Sequence, residues 1–236
     1  MVASSVTNTR GLLRLAVLGV AVLTGCGEPE VPVAELTGRT MGTGYSVKLA
    51  PVPDAPVRRE LQQAIDARLA AINRQMSTYQ ADSDLSRFNA THTTEWWPAP
   101  ADLVELVERA AGISDRSDGA FDVTVGPLVN LWGFGSTGGR ATPPKAGEIA
   151  DRMPLVGYRR LHTRQDPPAL RKSVGGLQID LSSIAKGWAV DQIAGLLTRL
   201  GYANFLVEIG GEVYARGEKR PGQAWHIAIE KPLPVR

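Results

Sequence analysis

Apolar residues recur at intervals of three and four from Val57 through Leu61, Ile65, Leu69 and Ile72 to Met76, the spacing of one helical face. Pro51, Pro53 and Pro56 break the chain ahead of this run, which predicts a long core helix with no chemistry of its own. The pattern returns after Pro98 and Pro100, with Leu103, Leu106, Val107 and Ala110 inward and Glu105, Glu108 and Arg109 outward, and it stops at the turn-rich Ser114–Gly119. A third helix is predicted from about Ser183 to Leu200. Its apolar set is Ile184, Trp188, Ile193, Leu196, Leu197 and Leu200, with Gly201 at the C′ position.

Alternation marks the strands. In RTMGTGYSVKL, Arg39 to Leu49, the side chains of Tyr45, Val47 and Leu49 share a face. Gln178–Leu181 reads as a strand end, and NFLVEI (Asn204–Ile209) and EVYAR (Glu212–Arg216) form a hairpin about Gly210-Gly211. AWHIAIE, Ala224 to Glu230, alternates as another strand. Gly133–Gly147 is rich in glycine and proline and reads as a mobile loop, with regular structure resuming near Leu177. Separated helices and strands predict an α+β fold with mixed or antiparallel sheets and packed helices, without internal repeats.

The first residues carry a different signal. Arg10 and Arg14 precede the apolar run Leu15–Leu23, too short to span a bilayer and of the length of a signal-peptide core. The run ends in Leu23-Thr24-Gly25-Cys26, which looks like a lipoprotein signal; Cys26 is the one cysteine of the chain, so it is an anchor candidate with no disulfide or metal-cluster partner. Residues 1–25 are therefore predicted to be a signal peptide, 26–36 a tether and 37–236 the folded domain. With 26 basic against 24 acidic residues and no basic stripe, the chain offers nothing to a nucleic-acid backbone.

Four segments hold more specific residues than a fold requires. Gly42 and Gly44 flank Thr43 after Met41 and allow close backbone approach to a ligand, or only a turn. MSTYQADSDLSRFN, from Met76, concentrates capping residues around Tyr79, whose ring would suit a planar base; capping alone explains the rest. In GAFDVTVGPLVNLWGFG, from Gly119, Asp122 lies in an apolar strand-like run, where it is functional or accepts backbone N–H groups, and Leu131–Gly135 reads as a tight apolar corner. In IDLSSIAKGWAVD, Asp180 precedes a helix start with Ser182 and Ser183 as cap hydroxyls and Lys186 one turn in, an arrangement for a diphosphate, for Mg2+ or for an ordinary capped helix. His92, His162 and His226 lack metal-ligand spacing.

Taken in order, MGT at Met41, MSTY with LSRFN, GAFD with VGPLVNLWGFG, IDLSSIAKGWAVD, and VEIGGEV with IEKP resemble the ApbE family over about residues 37–233. The resemblance implies magnesium-dependent transfer of FMN from FAD to a Thr or Ser hydroxyl of a target flavoprotein, with release of AMP. It implies that Met41, Tyr79, Ala120, Phe121, Asp122, Asp180 and Lys186 contact FAD and that Ser183 gives its main-chain oxygen to Mg2+. Val123 stands where many relatives have proline. Family members continue past the IEKP strand into a His-Ile-Ile-Asp-Pro-like motif with the expected base and an Asp-rich metal segment. The sequence ends at Arg236 without either, which predicts a partial FAD surface that is inactive as it stands. FAD storage without transfer and FAD hydrolysis to FMN and AMP are the competing readings. A bacterial envelope protein, lipid-anchored and facing an extracytoplasmic target, is the expected setting.

Overall fold

The computed structural model describes residues 32–136 and 138–229. The predicted signal peptide and the Cys26 anchor lie outside the described residues. Strand β1 (Ala34–Thr40) begins three residues before the expected domain start at Thr37, and it buries Ala34 and Leu36, which the sequence pattern assigned to the tether. It pairs with β2 (Thr43–Leu49) through the two-residue tip Met41-Gly42.

Helix α1 (Ala55–Met76) follows, with Leu61, Ile65, Leu69, Ile72 and Met76 buried as the helical spacing predicts. Val57 at its first turn is 43% exposed and lies outside the core. Next come α2 (Asp84–Ala90), β3 (Trp97–Pro98), α3 (Ala101–Arg116), α4 (Gly126–Leu131) and α5 (Ala146–Arg152). The chain continues with β4 (Leu161–Gln165), β5 (Pro168–Lys172), α6 (Ala185–Arg199), β6 (Phe205–Ile209), β7 (Glu212–Arg216), β8 (Glu218–Arg220) and β9 (Gln223–Ala224).

The main sheet is antiparallel, in the order β1-β2-β6-β7. Tyr45, Val47 and Leu49 stand opposite Ile209, Val207 and Phe205, so both strands turn the same apolar face into the core, where α1 and α6 cover it. Each of these large side chains contributes roughly 1.5–3 kcal/mol by leaving water. A second antiparallel sheet, β3-β5-β4, packs on α3. The fold is α+β with packed helices, in agreement with the sequence pattern.

Several local expectations fail for physical reasons. The segment around Asp122 is a turn leading into α4, because its carboxylate bonds the backbone instead of a strand ladder forming. Gln178–Leu181 makes only an isolated parallel bridge, Val125 to Gln178. Regular structure returns at α5, well before Leu177, and β4 and β5 form a hairpin that their many polar side chains conceal. The corner at Leu131–Gly135 leaves Trp132 41% and Phe134 74% exposed. Leu200 is likewise exposed at the end of α6. AWHIAIE joins a strand only at Ala224; Ile227 and Ile229 are exposed, since alternation without a partner strand buries nothing.

Candidate functional site

Two hairpin tips and the start of α6 meet at one end of the main sheet. The Met41-Gly42 tip has positive φ at both residues, +49° and +74°, which is the twist a two-residue hairpin turn requires. Methionine adopts that conformation at a cost, and Met41 is half-buried against the core while lining a cavity. The second tip, Gly210-Gly211, also has positive φ at both positions, and Gly210 N–H donates to Gly44 O at 3.2 Å. Lys186 on α6 reaches across to this tip, its Nζ donating to Gly210 O at 3.3 Å.

This junction forms a cavity of about 680 Å³, lined by Met41, Gly42, Thr43, Asn73, Met76, Ser77, Thr78, Tyr79, Gln80, Ser182, Ala185 and Lys186. A second cavity of about 410 Å³ shares Thr78 and Tyr79 with the first and extends to Asn89, Asn130, Gln178 and Asp180. The Tyr79 ring is 68% exposed, and its hydroxyl donates to Phe134 O at 3.2 Å. An aromatic face stands where the two cavities adjoin, with a cation at one end and a carboxylate at the other. The combined site suits a long ligand with a flat ring and an anionic middle.

Asp180 is almost fully buried. Its Oδ1 accepts the Ser182 N–H at 2.8 Å, and its own N–H donates to Val123 O at 2.8 Å. The serine hydroxyls do not cap α6, whose N-cap is Ile184 without a side-chain cap. The Ile184 and Ala185 amides both donate to Leu181 O. The start of α6 therefore spends these two amides within its own turn, and Lys186 brings an ammonium to the first cavity.

The other predicted residues are placed differently. Ala120, Phe121 and Asp122 line neither cavity. Asp122 Oδ1 accepts from Thr124 N and Oγ1 at 2.7 and 2.6 Å, and its Oδ2 accepts from Tyr158 N at 2.9 Å. Val123, the residue after the trio, accepts the Asp180 N–H. Ser183 lines a separate cavity of about 590 Å³ with Arg109, Arg116, Trp188, Asp191 and Glu212. No group of three or more His, Cys, Asp or Glu suited to a metal exists among the described residues. Ser183 and Asp180 line different cavities, so the described residues do not fit a Mg2+ site.

Sequence patterns missed Asn73, Asn89, Gln178 and Gly210. Asn73 Nδ2 donates to Thr40 Oγ1 at 2.9 Å and ties α1 to the first hairpin. Gly210 admits the tip to the site: a Cβ there would stand 2.8 Å from Thr43 Cγ2 and 3.2 Å from Lys186 Cδ. The Gly-Gly pair was visible as a turn, but its approach to Lys186 is a tertiary fact.

Fold and cleft define an α+β protein with two adjoining cavities at one end of its main sheet. A model of the ApbE family matches residues 41–236, and the chain belongs to that family. It is 41% identical over 218 residues to an FAD:protein FMN transferase of Vibrio cholerae serotype O1, a match covering 92% of this chain and 64% of the relative. An FAD:protein FMN transferase of Haemophilus influenzae is 40% identical over 222 residues, with the same two coverages. Among solved structures, the flavin transferase ApbE from Vibrio cholerae superposes with a TM-score of 0.78 at 41% identity, covering 85% of this chain and 65% of that one. The apo flavinyl transferase ApbE of Pseudomonas stutzeri gives 0.77 at 43% identity, covering 84% and 65%. The chain thus spans about 64% of the length of these curated relatives.

Proposed function

We propose that this chain binds FAD along the two adjoining cavities, as the flavin-donor part of an FAD:protein FMN transferase. The observation that carries this reading is that Lys186 and Asp180 line two cavities that adjoin at Thr78 and Tyr79, within the ordered family motifs. Tyr79 offers a ring face to a heterocycle, and Lys186 offers a positive charge to the diphosphate. Asp180 shapes the turn at the start of α6 through Ser182.

In the reaction, a Thr or Ser oxygen of the target forms a bond to the FMN phosphorus of FAD. The bond from that phosphorus to the bridging oxygen breaks, AMP departs with that oxygen, and the hydroxyl proton passes to a base. Lys186 is suited to offset charge on the diphosphate as the bridge breaks. Among the described residues Asp180 is the one carboxylate lining the two cavities, and no histidine lines them. That lining favours a second reading, FAD binding without transfer. Magnesium dependence belongs to the family-level proposal; Ser183, the ligand that the family resemblance implies, lines a different cavity from Asp180, so no magnesium ligand is assigned in this chain.

The proposed setting is the extracytoplasmic face of a bacterial envelope, with Cys26 as lipid anchor, motivated by the Leu23–Cys26 sequence. No helix among the described residues is long and apolar enough to cross a membrane.

Calorimetric titration with FAD, followed by incubation with magnesium and a Thr-containing target and mass spectrometry, tests the reading. Saturable FAD binding is expected, and an FMN adduct with stoichiometric AMP identifies transfer. Binding without adduct identifies the second reading, FMN and AMP without adduct identify hydrolysis, and failure to bind FAD overturns the assignment of the cleft.

A further inference from the structure

We propose that Lys172 and Asn89 are positioning residues that make α2 the spacer between the two walls of the cleft, fixing the distance from the Tyr79 segment to Asp180. The inference rests on the reading of the cleft as the FAD site and names residues that set its geometry.

At its N-terminal end α2 is tied to the segment carrying Tyr79. Ser83 caps the helix by accepting from Ser86 N at 2.9 Å, and Ser86 Oγ donates to Ser77 O at 3.0 Å. Ser77 Oγ in turn accepts the Tyr79 N–H at 3.1 Å. The wall bearing the aromatic ring thus hangs from the first turn of α2.

At the other end the helix holds the opposite wall. Asn89 Nδ2 donates to Ile179 O, and Asn89 Oδ1 accepts Ile179 N–H, both at 2.8 Å. This two-point clamp fixes a residue that is 1% exposed, and the next residue is Asp180. Lys172, with no exposed surface, closes the same end: its Nζ donates to Phe88 O and Leu177 O at 3.1 Å and to Asn89 O at 3.4 Å.

An ammonium carries three donors, and here three carbonyls meet it, two from the last turn of α2 and one from Leu177 in the irregular segment leading to Asp180. No carboxylate forms an ion pair with Lys172 among the described residues. Packing alone would favour an apolar side chain in so buried a place, because an unpaired charge is costly there. What Lys172 does that no apolar residue can is bind carbonyls of two separate segments at once, holding the end of α2 against Leu177.

The test compares the full chain with Asn89→Ala, Asn89→Asp and Lys172→Met variants, and with Val104→Ala as a core control from α3, which lines neither cavity. Amide exchange read by mass spectrometry and FAD affinity are measured on each, at denaturant stabilities matched by temperature. Exchange in residues 177–182 is expected to rise selectively in Asn89→Ala and Lys172→Met, with FAD Kd rising about tenfold. Asn89→Asp, which keeps the acceptor for Ile179 N–H and loses the donor, should fall between, and Val104→Ala should leave Kd unchanged. If exchange of 177–182 rises no more than in Val104→Ala, α2 is not the spacer. If it rises selectively while Kd stays at the wild-type value, the positioning role is wrong. If the wild-type chain binds no FAD, the assignment of the cleft fails, and the exchange arm still decides the spacer. Should Lys172→Met fail to fold, the two Asn89 variants carry the test.

Discussion

The second hairpin tip provides a controlled perturbation of the site, because its two glycines share a backbone requirement and differ in surroundings. Both Gly210 and Gly211 have positive φ, +55° and +94°, so alanine at either position is strained by about 1 kcal/mol. A Cβ at Gly211 meets nothing within 4 Å, whereas one at Gly210 stands 2.8 Å from Thr43 Cγ2 and 3.2 Å from Lys186 Cδ. Relief requires the stiff, β-branched Thr43 and the longer Lys186 side chain to move, and the Lys186 bond to Gly210 O, 3.3 Å long, weakens with them. Gly211→Ala should therefore lower stability by about 1 kcal/mol, or some 2–4 °C in Tm for a chain of this size, with no change in FAD affinity. Gly210→Ala should add the loss of one charge-assisted contact, about 1.5–3 kcal/mol, seen as a roughly 10- to 100-fold weaker FAD Kd. Isothermal titration with FAD and urea denaturation of both variants measure the two quantities separately. Equal effects of the two substitutions on FAD affinity would refute the reasoning, since they would reduce the tip to backbone strain and remove Lys186 from the ligand.

Other outcomes follow from neighbouring features. Tyr79→Ala should weaken FAD binding about tenfold while Tyr79→Phe holds the wild-type value, and neither should shift Tm, because the ring is 68% exposed. Asp122→Ala leaves Thr124 N, Thr124 Oγ1 and Tyr158 N without their acceptor and should cost about 3 kcal/mol in urea unfolding. An FAD affinity loss exceeding that stability loss would instead assign Asp122 the ligand contact that the family resemblance implies. Burial pushes Lys172 from the ordinary 10.5 down to about 8. The unfolded chain therefore holds the extra proton between these values, and stability should rise with pH across that window. Urea midpoints at about pH 8 and pH 10 should show the rise in wild type and a smaller one in Lys172→Met; identical rises would remove Lys172 from the pH dependence.

Much of the scaffold was legible because its signals are local. The buried residues of α1 and α3 repeat at helical spacing, and the β6-β7 hairpin declares itself in Gly210-Gly211. Strand β1 was hidden by Thr37, Gly38 and Arg39, whose polar character masks that Ala34, Leu36 and Thr40 turn inward. The β4-β5 hairpin was hidden by Arg164, Arg171 and Lys172, the last of which is buried through carbonyl contacts that no periodicity encodes. Met41, Tyr79 and Lys186 line one cavity, and Tyr79 and Asp180 line the one that adjoins it, a grouping that tertiary structure and not spacing provides. Asp122 illustrates the opposite case: a carboxylate in an apolar run signals that something must satisfy it, and the partners here are a backbone turn and Tyr158, distant in sequence.

The two-residue tips bear on which changes in length the chain tolerates. Thr40 stands opposite Thr43, and Ile209 opposite Glu212, so neither hairpin has slack. One inserted residue at Met41-Gly42 that propagated along β2 would carry Tyr45, Val47 and Leu49 to the opposite face and break the sheet as well as the cleft. The same insertion in the exposed stretch 138–143 would meet no ladder and no core. Length variation, and any engineered loop or tag, belongs there, at a distance in sequence from both tips.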